Sequence, residues 1–255
     1  MMKVLLSNDD GVDAPGIASL YEGLKDMAEL FVVAPEVNQS GAGSSITTNR
    51  PMKVKEYKKN FLSVNARPSD CVHLGIHELC PWKPDLVISG INLGANMAED
   101  LLYSGTVGAA LEARSMSIPS LAVSAAAFGQ PGSEGLMEPN FETASQVIRE
   151  ILEGIILEVI DTAISLNINV PNVPYSKDLK KTLTTIGTWG ARNPPEIKES
   201  SKGKLEYWTT HRSDYPQNNS NSDISALERN EVSISPMVPN FYSQSENPLK
   251  GWINL

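Results

Sequence analysis

Val4-Leu5-Leu6-Ser7-Asn8-Asp9-Asp10-Gly11 decides the fold. A short apolar run passes straight into a polar turn carrying two adjacent carboxylates, so a buried strand ends abruptly at a charged rim. Asp13 and Pro15 then open a helix, with Ile17, Leu20, Tyr21, Leu24, Met27 and Ala28 at helical spacing. Leu30-Phe31-Val32-Val33 reads as a second buried strand, closed by Pro35. Strand, helix and strand in this order make a β-α-β unit, whose strands lie parallel between layers of helix.

The pattern continues along the chain. Lys53 to Tyr57 alternates polar and apolar residues and Phe61 to Val64 follows, which predicts a hairpin. Ser69 or Asp70 caps a helix running to about Leu79. Asp85-Leu86-Val87-Ile88 is a third buried strand, Thr106 to Arg114 a helix, Ser120 to Ser124 a strand, Phe141 to about Glu158 a long amphipathic helix, and Leu166 to Val170 a further strand. The expected architecture is α/β: a doubly wound, mostly parallel Rossmann-like sheet. After Pro171 the texture changes to prolines, the polar run Gln217-Asn218-Asn219-Ser220-Asn221-Ser222, and short strand-like pieces at Leu183 to Ile186, Leu205 to Trp208 and Val232 to Ile234. Residues 1–171 are therefore expected to form the catalytic core. Residues 172–255 are expected to form a β-rich extension that packs on the core or reaches another subunit.

Composition narrows the function classes. Of 255 residues, 41% are hydrophobic, enough for a large core, and only 6% are aromatic, so aliphatic side chains fill it. The net charge of -9 argues against nucleic acid polymers and anionic membrane surfaces as partners. An anionic substrate must then find positive potential in a metal or in backbone N–H groups. Two cysteines, no signal-peptide core after Met1 and no long apolar span predict a cytoplasmic protein.

Three loops carry the chemistry. Asp9 and Asp10 lie where the first strand runs out; adjacent carboxylates repel, and a hard divalent cation removes that cost. An ordinary polar turn with Asp10-Gly11 at its corner is the plainer reading. The second strand ends in Asn38-Gln39-Ser40-Gly41, and the third in Ser89-Gly90-Ile91-Asn92-Leu93-Gly94-Ala95-Asn96. Ligands in open α/β sheets bind beyond the carboxyl ends of the strands, so three such loops on one edge point to a site. In Ser104-Gly105-Thr106-Val107-Gly108, Ser104 caps a helix and Gly105 lets a ligand approach the free N–H groups there. A plain N-cap ahead of a tightly packed helix explains the same spacing equally well. Neither a P-loop lysine nor Gly-x-Gly-x-x-Gly is present. His73, His77 and Cys80 fall at i, i+4 and i+7 and Cys71 points elsewhere; a zinc site on one helix is disfavoured against a partly buried helix face. His211 is isolated, which leaves a Ser-His-Asp arrangement without support.

These motifs together resemble the survival protein E (SurE) family of metal-dependent nucleotidases. The matching residues are Leu5 to Gly11, Ala14-Pro15-Gly16-Ile17, Val32-Val33-Ala34-Pro35, Asn38-Gln39-Ser40-Gly41, Pro84-Asp85-Leu86-Val87, Ser89 to Asn92 with Gly94 and Asn96, and Tyr103 to Val107. Leu166 to Pro171 and Val232 to Pro236 also fit. The resemblance implies one divalent metal ion (Mg, Mn or Co) per subunit, bound by Asp9, Asp10, Ser40 and Asn92. It implies substrate contacts at Asn96, Ser104, Gly105 and Thr106, and catalytic roles for Asp9, Asp10 and Asn96. It further implies hydrolysis of nucleoside monophosphates, polyphosphate hydrolysis in some members, and a homodimer or homotetramer exchanging a C-terminal segment. Where the family typically has Gly-Thr-Pro, this chain has Ala66-Arg67-Pro68, which adds a cation close to the expected substrate region.

Two other readings compete. A haloacid-dehalogenase-type phosphatase uses a nucleophilic Asp and a second Asp two residues on, whereas here the pair is adjacent. A non-catalytic nucleotide sensor needs no carboxylate pair to bind an anion. The expected mechanism is metal-assisted hydrolysis in which Asp9 ligates the ion and orients or deprotonates the attacking water.

Overall fold

In a computed structural model, which describes residues 1–127, 138–154, 165–201, 203–209 and 219–238, β1 (Met2–Ser7) is the central strand. Val4 and Leu6 face one side of the sheet and Leu5 the other, all fully buried, as strand alternation requires. On one flank β1 pairs with β2 (Ala28–Pro35), reached through α1 (Pro15–Leu24); on the other it pairs with β5 (Leu86–Leu93). Both pairings are parallel. With β3 (Val54–Lys58), β4 (Phe61–Val64), β6 (Ser120–Ala125), β7 (Ser165–Val170), β8 (Lys181–Leu183) and β11 (Val232–Met237), the strand order is β3-β4-β2-β1-β5-β6-β7-β11-β8, so chain progress reverses direction between β1 and β5. That gap is the topological switch point, where doubly wound sheets bind ligands.

The hairpin forms as expected from β3 (Val54–Lys58) and β4 (Phe61–Val64), with Asn60 at positive φ in the turn and β4 parallel to β2. β6 (Ser120–Ala125) and β7 (Ser165–Val170) continue the parallel series beside β5. Helices cover both faces. Ile17, Leu20 and Leu24 of α1 pack with Ala144, Val147 and Ile148 of α4 (Phe141–Gly154) over Val4 and Leu6. Cys71 and Val72 of α2 (Pro68–Leu74) pack with Ala109 and Ala113 of α3 (Gly105–Ser115) over Leu5. The predicted stretch of α4 beyond Gly154 and His211 lie outside the described residues.

The extension divides. β8 (Lys181–Leu183) and β11 (Val232–Met237) join the main sheet, β11 running antiparallel to β7. β9 (Glu196–Glu199) and β10 (Leu205–Trp208) make a separate antiparallel hairpin whose Ile197, Leu205, Tyr207 and Trp208 are exposed. The short helix α5 (Asp223–Glu228) is pinned by Asp223, a fully buried carboxylate that accepts from the backbone N–H of Ala98 (3.0 Å), Gly187 (2.8 Å) and Ile224 (2.9 Å). α5 was not read from the sequence.

Two local expectations are corrected. The helix near Ser69 starts at Pro68, one residue after Arg67, and Asp70 serves it from inside the first turn: its Oδ2 accepts from the Arg67 N–H (3.1 Å). The α-helix stops at Leu74 and widens into a single π turn, Gly75–Leu79. His73, His77 and Cys80 therefore do not share one continuous α-helical face. His73 Nδ1 meets Glu112 Oε1 (3.0 Å), and the His73 and His77 rings, both exposed, lie 4.7 Å apart. Among the described residues, no three of His, Cys, Asp and Glu converge as metal ligands.

Candidate active site at the switch point

Asp9 and Asp10 follow the last residue of β1 and stand at the switch point between β1 and β5. Their turn is closed by Asn8, which donates Nδ2 to Gly11 O (2.8 Å) and accepts at Oδ1 from the Gly11 N–H (3.2 Å). Position 8 is thus spent on backbone geometry, and the two carboxylates are left for chemistry. Asp9 is only 3% exposed. Thr106 Oγ1 donates to its Oδ1, and the Thr106 backbone amide also favours its charged form.

Asp9 lies against the N-terminus of α3. A Cβ at Gly105 would come within 2.7 Å of Asp9 Cβ and 2.9 Å of Asp9 Oδ2, so only glycine allows the carboxylate this seat. The partial positive charge of the helix end thereby meets Asp9 first. Ser104 caps the helix, accepting at Oγ from the Val107 N–H (3.1 Å). The loop after β2 closes the other side. Gln39 N–H donates to the Asp9 carbonyl (2.7 Å), and Gly43 N–H to the Tyr103 carbonyl (3.0 Å). A Cβ at Gly108 would lie 2.5 Å from the Gly43 carbonyl oxygen, which is how closely this loop lies on α3.

Asp10 reaches toward β5. Its Oδ2 accepts from the Leu93 N–H (3.2 Å) and its Oδ1 from Asn38 Nδ2 (3.3 Å). The Leu93 amide is aimed by an irregularity in β5: Ser89 pairs with Ala122 but Asn92 with Ser124, so Gly90 and Ile91 bulge out between them. Asn38 and the Leu93 amide were missed as site groups. Asn38 was visible as an amide two residues before Ser40, but the amide needs the bulge. Asn92 donates Nδ2 to the Gly94 carbonyl (2.8 Å), and Ser40 is exposed on the loop, its N–H on Asn38 Oδ1 (2.8 Å).

The structure ties Asn96 elsewhere. Among the described residues its hydrogen-bond partners are on β6 and β7: Nδ2 donates to Ser124 Oγ (2.9 Å), its N–H to Asn169 Oδ1 (2.8 Å), and its carbonyl accepts from Asn167 and Asn169 (both 2.9 Å). It braces the loop after β5.

Electrostatics single out the acidic pair. Burial pushes the Asp9 carboxyl up from 3.8 to about 6, with neighbouring Asp10 adding to the rise and Thr106 opposing it. Burial also raises Asp10, against the hydrogen bonds of Leu93 and Asn38. Among the described residues, no lysine or arginine pairs with either carboxylate. Buried negative charge without a cationic partner is costly, and a hard cation offsets that cost. The donor chemistry fits: two carboxylates, with the Asn92 carboxamide oxygen and the Ser40 hydroxyl on the flanking loops.

Fold and site together define a doubly wound α/β protein with an acidic pair, Asp9 buried and Asp10 partly buried, at its switch point. A family model described as survival protein SurE matches residues 4–193, and the chain belongs to that family. A protein from Pseudomonas putida named 5'-nucleotidase SurE is 40% identical over 253 residues, covering 99% of this chain and 98% of its own. One of the same name from Pseudomonas fluorescens is also 40% identical with the same coverage. The crystal structure of a SurE protein from Aquifex aeolicus superimposes with a TM-score of 0.80 at 34% identity, covering 99% of this chain and 98% of that one.

Proposed function

We propose that this chain is a divalent-metal-dependent nucleotidase that hydrolyses nucleoside monophosphates to nucleoside and phosphate. Relatives named 5'-nucleotidase and similar over nearly the whole chain make it a hydrolase of the nucleotidase class. The observation that carries the metal reading is the uncompensated Asp9–Asp10 pair at the switch point, with Asp9 buried and Asp10 partly buried. Asp9 and Asp10, with Asn92 and Ser40, would hold one divalent ion per subunit, Mg, Mn or Co. Such an ion neutralises phosphoryl charge and acidifies water.

The chain's own residues do the rest. Asp9 orients the attacking water through its carboxylate. Thr106 Oγ1 keeps Asp9 in place. The α3 N-terminus, at Ser104, Gly105 and Thr106, faces the phosphate oxygens, while Asn96 holds the loop that positions Asn92. Asn8, bonded twice to Gly11, stands where a dehalogenase-type reading would seek a reactive group.

Three further assignments belong to this reading. Residues 1–171 form the catalytic core and 172–255 an oligomerisation extension, supported by the apolar side chains exposed on the β9–β10 hairpin. The protein works as a homodimer or homotetramer. It resides in the cytoplasm, supported by the unpaired thiols of Cys71 and Cys80; among the described residues no helix is long and apolar enough to cross a membrane.

The test is a phosphate-release screen over nucleoside monophosphates with Mg²⁺, Mn²⁺, Co²⁺ or chelator. Release that needs a divalent ion and disappears in Asp9→Asn is expected. Full activity of Asp9→Asn, or turnover unaffected by chelator, overturns the assignment.

A further inference from the structure

Arg67 lies between β4 and α2, at the end of the sheet that carries the acidic pair. Its backbone N–H goes to Asp70 Oδ2 (3.1 Å), and the Thr47 N–H takes the same oxygen (2.9 Å). Asp70 is therefore committed to backbone amides. The guanidinium donates through Nη1 to Gln39 Oε1 instead. Gln39 in turn donates its backbone N–H to the Asp9 carbonyl (2.7 Å). One glutamine thus spans the distance from the acidic pair to the guanidinium. Arg67 is exposed, and among the described residues no carboxylate pairs with it.

A guanidinium is a planar fork of donors with no acceptor, best matched by two adjacent acceptors in one plane. With one donor on Gln39, the remaining fork faces solvent beside the site. On a nucleoside monophosphate whose phosphate sits beside the acidic pair at the switch point, the portion a glutamine's length away is the nucleoside. Guanine and hypoxanthine present O6 and N7 side by side as acceptors. Adenine puts an amino donor where O6 stands, opposing donor to donor.

Resting on the nucleotidase reading above, we propose that Arg67 determines specificity by reading the O6/N7 edge of a 6-oxopurine, so that guanosine and inosine monophosphates are preferred to adenosine monophosphate. Gln39 holds the fork in reach.

The test compares kcat/KM for GMP, IMP and AMP on the full chain with Mn²⁺, in wild type, Arg67→Gln and Arg67→Lys. Lys25→Gln serves as the charge control, because Lys25 follows the last turn of α1 at the opposite end of the sheet, beside Glu22. A bidentate contact of this kind gives a wild-type GMP-to-AMP ratio of roughly 5- to 150-fold. In Arg67→Gln the ratio collapses toward one. Arg67→Lys, which lacks the fork, falls between, and Lys25→Gln keeps the wild-type ratio. A wild-type ratio near one, a ratio untouched by Arg67→Gln, or an equal loss for all three nucleotides overturns the assignment. p-Nitrophenyl phosphate, which has no base, separates the two levels. If it is hydrolysed while base preference is absent, only the Arg67 reading falls; if no ester is hydrolysed with any metal, the nucleotidase reading falls and takes Arg67 with it.

Discussion

Gly105→Ala is the sharpest probe of the site, because it adds one carbon and no polarity. The new Cβ would sit 2.7 Å from Asp9 Cβ, 2.9 Å from Oδ2 and 3.1 Å from Cγ, whereas ordinary contact begins at 3.4 Å. The nearest atoms belong to a short side chain anchored at the end of the central strand, so the carboxylate must move by a fraction of an ångström. Alanine is the better helix former by up to about 1 kcal/mol, while overpacking costs about 1–3 kcal/mol. The two nearly offset, and the melting temperature should fall by only a few degrees. Catalysis has no such compensation: displacing a catalytic group by about 1 Å costs on the order of 100-fold. The assay is phosphate release from a nucleoside monophosphate with Mn²⁺, alongside a thermal melt. Gly154→Ala is the matched control, since among the described residues nothing lies within 4 Å of its added Cβ. Loss of kcat/KM by about two orders of magnitude in a folded Gly105→Ala, with Gly154→Ala active, is expected. Wild-type activity in Gly105→Ala would show that the seat of Asp9 against α3 does not matter, and the mechanism would go with it.

Further expectations concern charge. Because the Asp9 carboxyl is raised from 3.8 to about 6, the folded chain holds a proton that the unfolded chain releases between those values. Its contribution therefore lowers stability as pH climbs from about 4 to about 6 and stays unfavourable above. Metal-free Asp9→Asn should accordingly melt above wild type at neutral pH, by an amount equivalent to at most about 3 kcal/mol, with the gap closing below about pH 4; chemical denaturation at both ends of this range checks it. Saturating Mn²⁺, at about 100 times its dissociation constant, should stabilise wild type by about 2.7 kcal/mol and leave Asp9→Asn unmoved, as read by thermal shift. Asp10→Asn keeps an acceptor for only one of the two donors, Leu93 N–H and Asn38 Nδ2, and should lose turnover, read by phosphate release. Asp223→Ala strands three buried backbone N–H groups and should cost about 3 kcal/mol or more in denaturant titration.

Much of this was legible because central parallel strands are buried on both faces. Val4 to Leu6, Phe31 to Val33 and Leu86 to Ile88 could be little else than interior strands, and strands of that kind place their following loops on one edge. That places Asp9 and Asp10 and the loops Asn38 to Gly41 and Ser89 to Asn96 on one edge; Ser40 and Asn92 as particular ligands come from the family resemblance. What stayed hidden depends on three-dimensional register. The bulge at Gly90 and Ile91 that aims the Leu93 amide at Asp10 has no local signature beyond a glycine. The bonds of Asn96 to Ser124, Asn167 and Asn169 were not legible, because those partners are fixed only once β5, β6 and β7 are side by side. β9 escaped reading because Glu196-Ile197-Lys198-Glu199 is charged and fully exposed, with no buried face to impose a period.

The same physics explains why the acidic pair sits where it does. A strand end at a switch point is flanked by loops from both neighbouring strands, so donors from β2 and β5 sides converge there without any long excursion. Asp9 draws on the α3 N-terminus and Thr106, Asp10 on Leu93 and Asn38, and each of these groups favours the ionised form. Burial nevertheless outweighs them at both carboxyls. The protein therefore supplies enough hydrogen bonding to hold the two oxygen clusters in place and too little to neutralise them. A set of neutral donors sufficient to neutralise the pair would leave nothing for a cation to do. On the metal reading proposed above, that deficit would give a divalent ion its hold, and through it a chain of net charge -9 would gain a place for an anionic ester.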